Sequence, residues 1–412
     1  MGLPAPDPDP HAAVLSPEVD LCLELGRSLQ RYATPAHRFE GVMARVAARL
    51  GRRGQFFAQP TAFFASIEEE GRHRTYLESS PASDVNLERM VQLQAVADGL
   101  LKEGWGVEEA RRHLREVVES PARFSPLLEV ASYGLAVGAA PLFMGGGWRE
   151  VAVTAAVGLA VGGLGLLMGA RPLLGRLLYL VGAFLAALLA SFGARLVPGT
   201  APLLVTACAL LPLIPGLRLI TAMNELATGH LMSGTSRLMD TGMIFLQLSF
   251  GVGLGHQLGA GLGAELAVAP RALGGAWPLL GLVLTPVAFV VLFKARPRDL
   301  GWIFMGCALA YAGARLGGLA FGREAGVGVG TFLLGAGANL LARLKRIPSA
   351  VSILPGLMIL VPGSAALRGI TAVLQKQMQP GLEAGATVLL VALAMMTGLL
   401  LAHALVPSRL EL

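Results

Sequence analysis

The sequence predicts an α-helical polytopic membrane protein, with about ten transmembrane helices in two inverted five-helix repeats preceded by a small soluble α+β domain. Three observations predict it: the composition, a series of long charge-free apolar runs, and a set of short motifs that recurs at one offset. Of the 412 residues, 54% are hydrophobic and 15% charged, and the mean hydropathy is +0.62. A soluble domain carries about 25% charged residues, so much of this surface faces something other than water. Glycine, at 53 residues, suits close helix–helix approach in lipid.

Charge divides the chain. Residues 1–125 hold 15 basic and 18 acidic side chains, a net of −3; residues 126–412 hold 18 and 9, a net of +9. Met1–Pro10 is proline-rich and acidic, with neither the basic segment nor the apolar core of a signal peptide. Pro6 stands where a myristoylation motif needs Ser or Thr. Residues 1–15 therefore read as a disordered tail.

Residues 16–125 read as the soluble α+β domain. Val19, Leu21, Leu25 and Leu29, then Phe39, Val42, Met43, Val46 and Leu50, recur at helical spacing. Pro35 divides them into two helices, because proline removes a backbone donor and crowds the preceding turn. Three β-rich runs follow, Gln55–Gln59, Thr61–Ile67 and Arg74–Glu78, with helical patterns again at Leu87–Leu101 and Glu108–Val118. His37, His73 and His113 lie among arginines and read as surface residues rather than ligands.

The apolar runs without Asp, Glu, Lys or Arg are 130–148, 151–170, 177–194, 196–217, 241–264, 272–293, 300–314, 325–342, 347–367 and 384–408. A helix needs about 20 apolar residues to cross the hydrocarbon core. The seventh run is short but continues past Arg315 to Phe321, and a long cation near a helix end can snorkel to the interface. One set of loops concentrates Arg171, Arg176, Arg218, Arg237, Lys294, Arg296, Arg298, Arg343, Lys345 and Arg346. The opposite set, with Arg149, Arg195, Arg271, Arg323, Arg368 and Lys376, is sparser. That bias places both termini in the cytoplasm of a plasma (inner) membrane protein. Trp148, Trp277 and Trp302 fall at span ends, where interfacial indoles belong.

The membrane half contains a repeat, 126–270 and 271–412. Trp148-Arg149-Glu150-Val151 matches Pro297-Arg298-Asp299-Leu300; Leu213-Ile214-Pro215-Gly216 matches Leu360-Val361-Pro362-Gly363; Ile220–Ala222 matches Ile370–Ala372. Arg195 and Arg343 also correspond, and every offset lies between 147 and 150 residues, which is five spans. An odd number of spans per repeat forces opposite orientations. Such inverted repeats mark secondary transporters, whose sites form where paired spans are interrupted by Gly or Pro.

The paired interruptions, Pro215-Gly216 and Pro362-Gly363, are thus the first candidates for a substrate site. The first leads into a dense polar segment with Arg218, Asn224, Glu225, His230, Ser233, Gly234, Arg237 and Asp240. Arg218 could hold a carboxylate by paired hydrogen bonds, and Glu225 or Asp240, if buried, could carry a proton. The plainer alternative is a cytoplasmic loop whose solvated charges enforce topology. His256 and His403, near span ends, read as interfacial, and Asn339 as a polar contact between helices.

Other classes find little support. No basic stripe with interleaved aromatics suggests nucleic acid. Cys22, Cys208 and Cys307 have no metal-ligand spacing and read as apolar fillers; neither metal nor cofactor is expected. No nucleophile–base, acid-pair or histidine-rich constellation of an intramembrane enzyme is visible. A membrane-anchored ligand sensor is the competing non-transport reading, and it has no need of paired broken helices. Homo-oligomerisation stays open.

Several motifs also resemble the threonine/serine exporter family, including its fungal pheromone-regulated relatives. The similarity runs from about Leu21 to Pro407. It rests on Tyr32-Ala33-Thr34-Pro35-Ala36-His37-Arg38-Phe39-Glu40 and Gly54-Gln55-Phe56-Phe57-Ala58-Gln59-Pro60-Thr61 in the first domain. In the membrane half it rests on Pro215-Gly216, Asn224–Gly229, Ser233–Leu238 and Leu360–Gly363. The resemblance implies ten spans, a cytoplasmic N-terminal domain and proton-coupled export of small amino acids. Related systems split the two membrane halves into separate subunits, some resembling exporters of dicarboxylates such as succinate. The family pattern often has Gly-Ala where Ala33-Thr34 stand, and Asp where Glu150 stands.

Overall fold

In the computed structural model the described residues are 15–32, 34–69, 71–79, 85–345, 348–361, 369, 372 and 378–407. The expectations placed on the tail 1–14, on Pro362 and Gly363, and on Arg346, Arg368 and Lys376 lie outside them. The chain is mostly helical, at 76%, and divides into two compact units: residues up to 84 with Arg89–Ser120, and Val85–Glu88 with residues 121 onward.

The first unit opens with α1 (Pro17–Arg31), whose first turn is capped by Ser16 Oγ accepting from Val19 N at 3.4 Å. Pro35 stands at the N-cap of α2 (Ala36–Arg49), so the proline does separate two helices. The strands β1 (Gly54–Gln59), β2 (Ala62–Glu69) and β3 (Arg72–Ser79) form an antiparallel sheet in the order β1-β2-β3. Alternation along them sends Phe56, Phe63 and Ile67 into the core and leaves Phe57, Phe64 and Leu77 on the other face. Then come α3 (Leu87–Asp98), a π-helical turn at Gly99–Glu103 and α4 (Val107–Glu119). Leu21, Leu25, Phe39, Met43, Phe63 and Ile67 are fully buried together. His113 stacks on Trp105 with ring centroids 4.5 Å apart.

The second unit holds α5 (Pro126–Met144), α6 (Trp148–Gly169), α7 (Leu178–Leu196), α8 (Pro202–Ala209), α9 (Gly216–Ala227) and α10 (Leu231–Gly261). It continues with α11 (Trp277–Leu292), α12 (Leu300–Phe321), α13 (Arg323–Lys345), α14 (Ala350–Leu360) and α15 (Met378–Leu405). Among the described residues, seven helices are long and apolar enough to cross a membrane; α8 and α9, bent by 45°, make an eighth if they form one broken span. Leu167, Leu246, Leu319 and Leu390 stand exposed on these helices, between 56% and 82% open. An apolar surface of that extent suits lipid and would be an aggregation site in water. The protein is a multi-pass membrane protein.

Packing partners recur between the two stretches. α5 packs on α6 as α11 does on α12; α6 on α7 as α12 on α13; α7 on α8 as α13 on α14; α7 on α10 as α13 on α15. The detail recurs too. A Cβ on Gly251 would strike the Leu180 carbonyl oxygen, and one on Gly398 would strike that of Gly328. A Cβ on Gly255 would stand 2.7 Å from the Ala187 Cβ, and one on Gly335 would stand 2.7 Å from the Ala402 Cβ. The small-residue contact is kept with glycine and alanine exchanged between helices. Arg195 donates to the Leu262 carbonyl just past α10, and Arg343 to the Pro407 carbonyl just past α15. Each cation thereby satisfies the orphan carbonyls of a helix C-terminus. Asn339 makes the expected polar contact, Nδ2 donating to the Val406 carbonyl at 2.9 Å. Trp148 and Trp277 meet edge-to-face with centroids 4.8 Å apart.

Cys22, Cys208 and Cys307 are all buried and free. Burial pushes the Cys22 thiol up to about 12, so the reactive thiolate is scarce at neutral pH. Native protein should therefore incorporate almost no maleimide at pH 7 and take up three per chain once denatured. Rapid labelling of folded protein would contradict this packing.

Candidate functional site

Two chain interruptions meet inside the second unit. α8 ends at Ala209, a 3₁₀ turn covers Leu211–Leu213, and Ile214 is extended before Pro215 caps α9. Pro212 and Pro215 cannot donate along a helical ladder, so Gly216 N turns back to the Ile214 carbonyl at 2.8 Å. The counterpart is the end of α14, where Val361 leaves the helix with extended backbone. The two touch. A Cβ on Gly216 would stand 2.5 Å from Cγ1 of Val361 and closer still to Cγ2. Beside them lies a small apolar cavity lined by Ile214, Gly216, Ile220, Val361, Val388 and Met395, with about 10 Å³ open to water centres. That volume holds roughly one water and is too small for an amino acid. Each interruption also enters the other stretch's core: Val361 packs with Val205 and Ile214, and Ile220 with Ile353, Leu357 and Leu360.

The polar segment beyond Pro215 is helical, not the loop that its charges suggested. α9 and α10 form a hairpin across Thr228-Gly229-His230, with Gly229 at φ 86°, a left-handed value that glycine adopts without strain. α10 therefore begins ten residues before the charge-free run. A Cβ on Gly234 would lie 2.9 Å from the Leu226 backbone nitrogen, which makes this position a close-approach point of the hairpin.

That hairpin buries Glu225 completely. Its carboxylate accepts from Ser233 Oγ at 2.9 Å and from Arg237 Nε at 3.0 and 3.2 Å. The Arg237 side chain is 14% exposed, so this pair is shielded from solvent far more than a surface ion pair. A buried ionisable group at membrane depth is costly and marks function by default. Arg218 and Asp240 pair with each other at 2.7 Å, with side chains 36% and 55% exposed. The burial required of a proton carrier is thus present at Glu225 and missing at Asp240. Asn224 is half-buried, and its carbonyl accepts from Thr228 Oγ1 at 2.9 Å. Of the candidate residues, Pro215 and Gly216 line the interruption, and Glu225, Ser233 and Gly234 join Arg237 in the hairpin. Arg218 and Asp240 form a separate outer pair. Among the described residues no group of three His, Cys, Asp or Glu gathers as a metal site.

Two buried polar residues escaped the sequence reading. Glu150, 2% exposed, accepts from Gly147 N at 2.8 Å and Ala201 N at 2.9 Å, joining the start of α6 to the approach of α8. His256 is 6% exposed rather than interfacial and bridges two neighbouring helices. Its position 147 residues before His403 was the available signal.

A family model described as "Putative threonine/serine exporter" matches residues 20–259, and a second, "Threonine/Serine exporter, ThrE", matches 279–405. A "Probable threonine/serine exporter" of Mycobacterium tuberculosis is 27% identical over 80% of this chain and 65% of its own. An uncharacterized protein of Schizosaccharomyces pombe is 26% identical over 87% of this chain and 49% of its own. Pheromone-regulated membrane protein 10 of Candida albicans is 22% identical over 86% of this chain and 33% of its own. The chain spans about half the length, or less, of these two fungal relatives. No solved structure matches it. With the first family model covering more than half of the sequence, the chain belongs to the threonine/serine exporter family.

Proposed function

We propose that this membrane exporter moves threonine, serine or similar small amino acids out of the cell against a flow of protons. Two inverted five-helix modules, 126–270 and 271–412, alternate access to a site at their interruptions. The observation that carries the reading is the contact of Gly216 with Val361 beside a small apolar cavity, on the same helix, α9, that carries the buried Glu225. Unwound backbone at membrane depth is tolerated where it lines a cavity, and paired breaks of this kind form substrate sites in repeat transporters. Recurrent packing and the exchanged Gly/Ala contacts support the repeat. Seven long helices and the bent α8–α9 pair account for eight spans; we take the shorter apolar helices α11 and α14 as the remaining two of ten. Residues 16–125 form the cytoplasmic domain, with both termini inside a plasma (inner) membrane.

Purified protein in liposomes loaded with labelled threonine, serine or succinate tests this. An imposed pH gradient should drive threonine or serine movement and leave succinate behind. Gradient-driven succinate flux alone would make this a dicarboxylate exporter, and no flux of any of the three would remove the transport reading.

A further inference from the structure

His256, on α10, is buried between two helices and belongs to neither the interruption nor the Glu225 hairpin. Its Nδ1 lies 3.0 Å from Ser191 Oγ on α7, and its Nε2 lies 3.2 Å from Thr206 Oγ1 on α8. Both hydroxyls are already engaged: Ser191 Oγ sits 2.8 Å from the Ala187 carbonyl, and Thr206 Oγ1 sits 2.9 Å from the Pro202 carbonyl. Carbonyl oxygens cannot donate, so each hydroxyl must spend its one proton on its own helix to keep that contact. Four contacts then need four protons. A neutral imidazole brings the cluster to three, and an imidazolium brings it to four. In the neutral state one contact must be given up, either at the ring or at a helix carbonyl.

We propose that His256 is a proton-binding site whose occupancy tightens or loosens the attachment of α8 to α10, and so gates the first interruption. The step is a simple protonation: the ring takes one proton on its free nitrogen, that new N–H donates to the facing hydroxyl, and deprotonation reverses it. α8 runs directly into the Leu211–Pro215 bend, so a change in its tie to α10 acts at the residues that touch Val361. The titratable or charged side chains on α10 itself and on the surrounding elements are Arg237 and Asp240 on α10, Arg195 and Tyr179 on α7, Cys208 on α8, Arg149 and Glu150 on α6, Glu129 and Tyr133 on α5, and Arg218 and Glu225 on α9. None of them hydrogen-bonds or ion-pairs with the ring among the described residues. Without a carboxylate partner a buried imidazolium is costly, which suits a proton loaded and released within a cycle rather than a permanent charge.

The site deepens the transport reading, and two measurements separate its failure from that of the reading. The first is independent of flux. In protein labelled with ¹⁵N-histidine, the imidazole signal that moves in Ser191→Ala should titrate within the pH range over which the protein stays folded. It should move to lower pH in Thr206→Ala, which deletes one acceptor. A ring that stays in one protonation state from about pH 4.5 to 9 overturns the proposal, whatever the protein transports. The second compares two fluxes in His256→Gln, which keeps a polar side chain and cannot titrate. Substrate exchange at equal pH on both sides should stay within about twofold of wild type, while gradient-driven flux falls by about tenfold or more. Equal retention of both fluxes overturns the proposal and leaves the transport reading intact.

Discussion

Glu225→Gln should abolish gradient-driven flux while the protein still folds. Glutamine keeps the shape of the side chain and an oxygen that can accept from Ser233, whose hydroxyl lies 2.9 Å from the carboxylate. It removes the charge that pairs with Arg237 and the site that could hold a proton. With Glu225 fully buried, no neighbouring water stands in for that loss. Gradient-driven threonine flux is expected to fall by about tenfold or more, with thermal unfolding shifted only modestly. Glu225→Ala separates the two roles, because stripping one partner from a buried pair costs about 3–5 kcal/mol and should lower stability as well as flux. Wild-type gradient-driven flux in Glu225→Gln would take Glu225 out of the mechanism.

Gly216→Ala should stop the cycle through a single methyl group. In an unconstrained helix the change stabilises by about 1 kcal/mol. Here the new Cβ meets the Val361 methyl groups, at 2.5 Å from Cγ1 and closer still to Cγ2, and one interruption must move off the other. Trimming the partner should restore room: Val361→Ala alone is mild, and Gly216→Ala with Val361→Ala should recover most of the lost flux. A coupling energy of about 1–2 kcal/mol between the two sites is expected from the double-mutant cycle. Strict additivity would mean that the two interruptions do not work against each other.

The sequence carried a good part of this architecture, for identifiable reasons. Charge-free runs are set by the cost of burying ions in lipid, so α6, α7, α12 and α13 lie close to the runs predicted for them. The short seventh run extends through Arg315 to Phe321 as expected. Pro35 and Pro215 marked real boundaries because a missing N–H is a local fact. The start of α10 was not legible in this way. Ser233, Arg237 and Asp240 read as loop by their polarity, yet the hairpin pairs all three side chains with residues on α9, the first two with Glu225 and the third with Arg218. Tertiary pairing overrode composition there. His256 illustrates the same gap from the other side. Its place near a span end suggested the interface, whereas its burial depends on Ser191 and Thr206, which lie 65 and 50 residues away. Only the repeat offset pointed at that residue, and an offset carries no information about partners.

The opposed orientation proposed for the two modules is open to direct measurement by single-cysteine accessibility, and the buried native cysteines leave a quiet background for it. Leu173, 78% exposed between α6 and α7, and Arg323, exposed at the start of α13, lie 150 residues apart, the offset of the repeat. Introduced separately as cysteines and probed with a membrane-impermeant maleimide, Leu173→Cys should label only from the cytoplasmic side and Arg323→Cys only from the outer side. Labelling of both from one side would give the modules the same orientation and contradict the account.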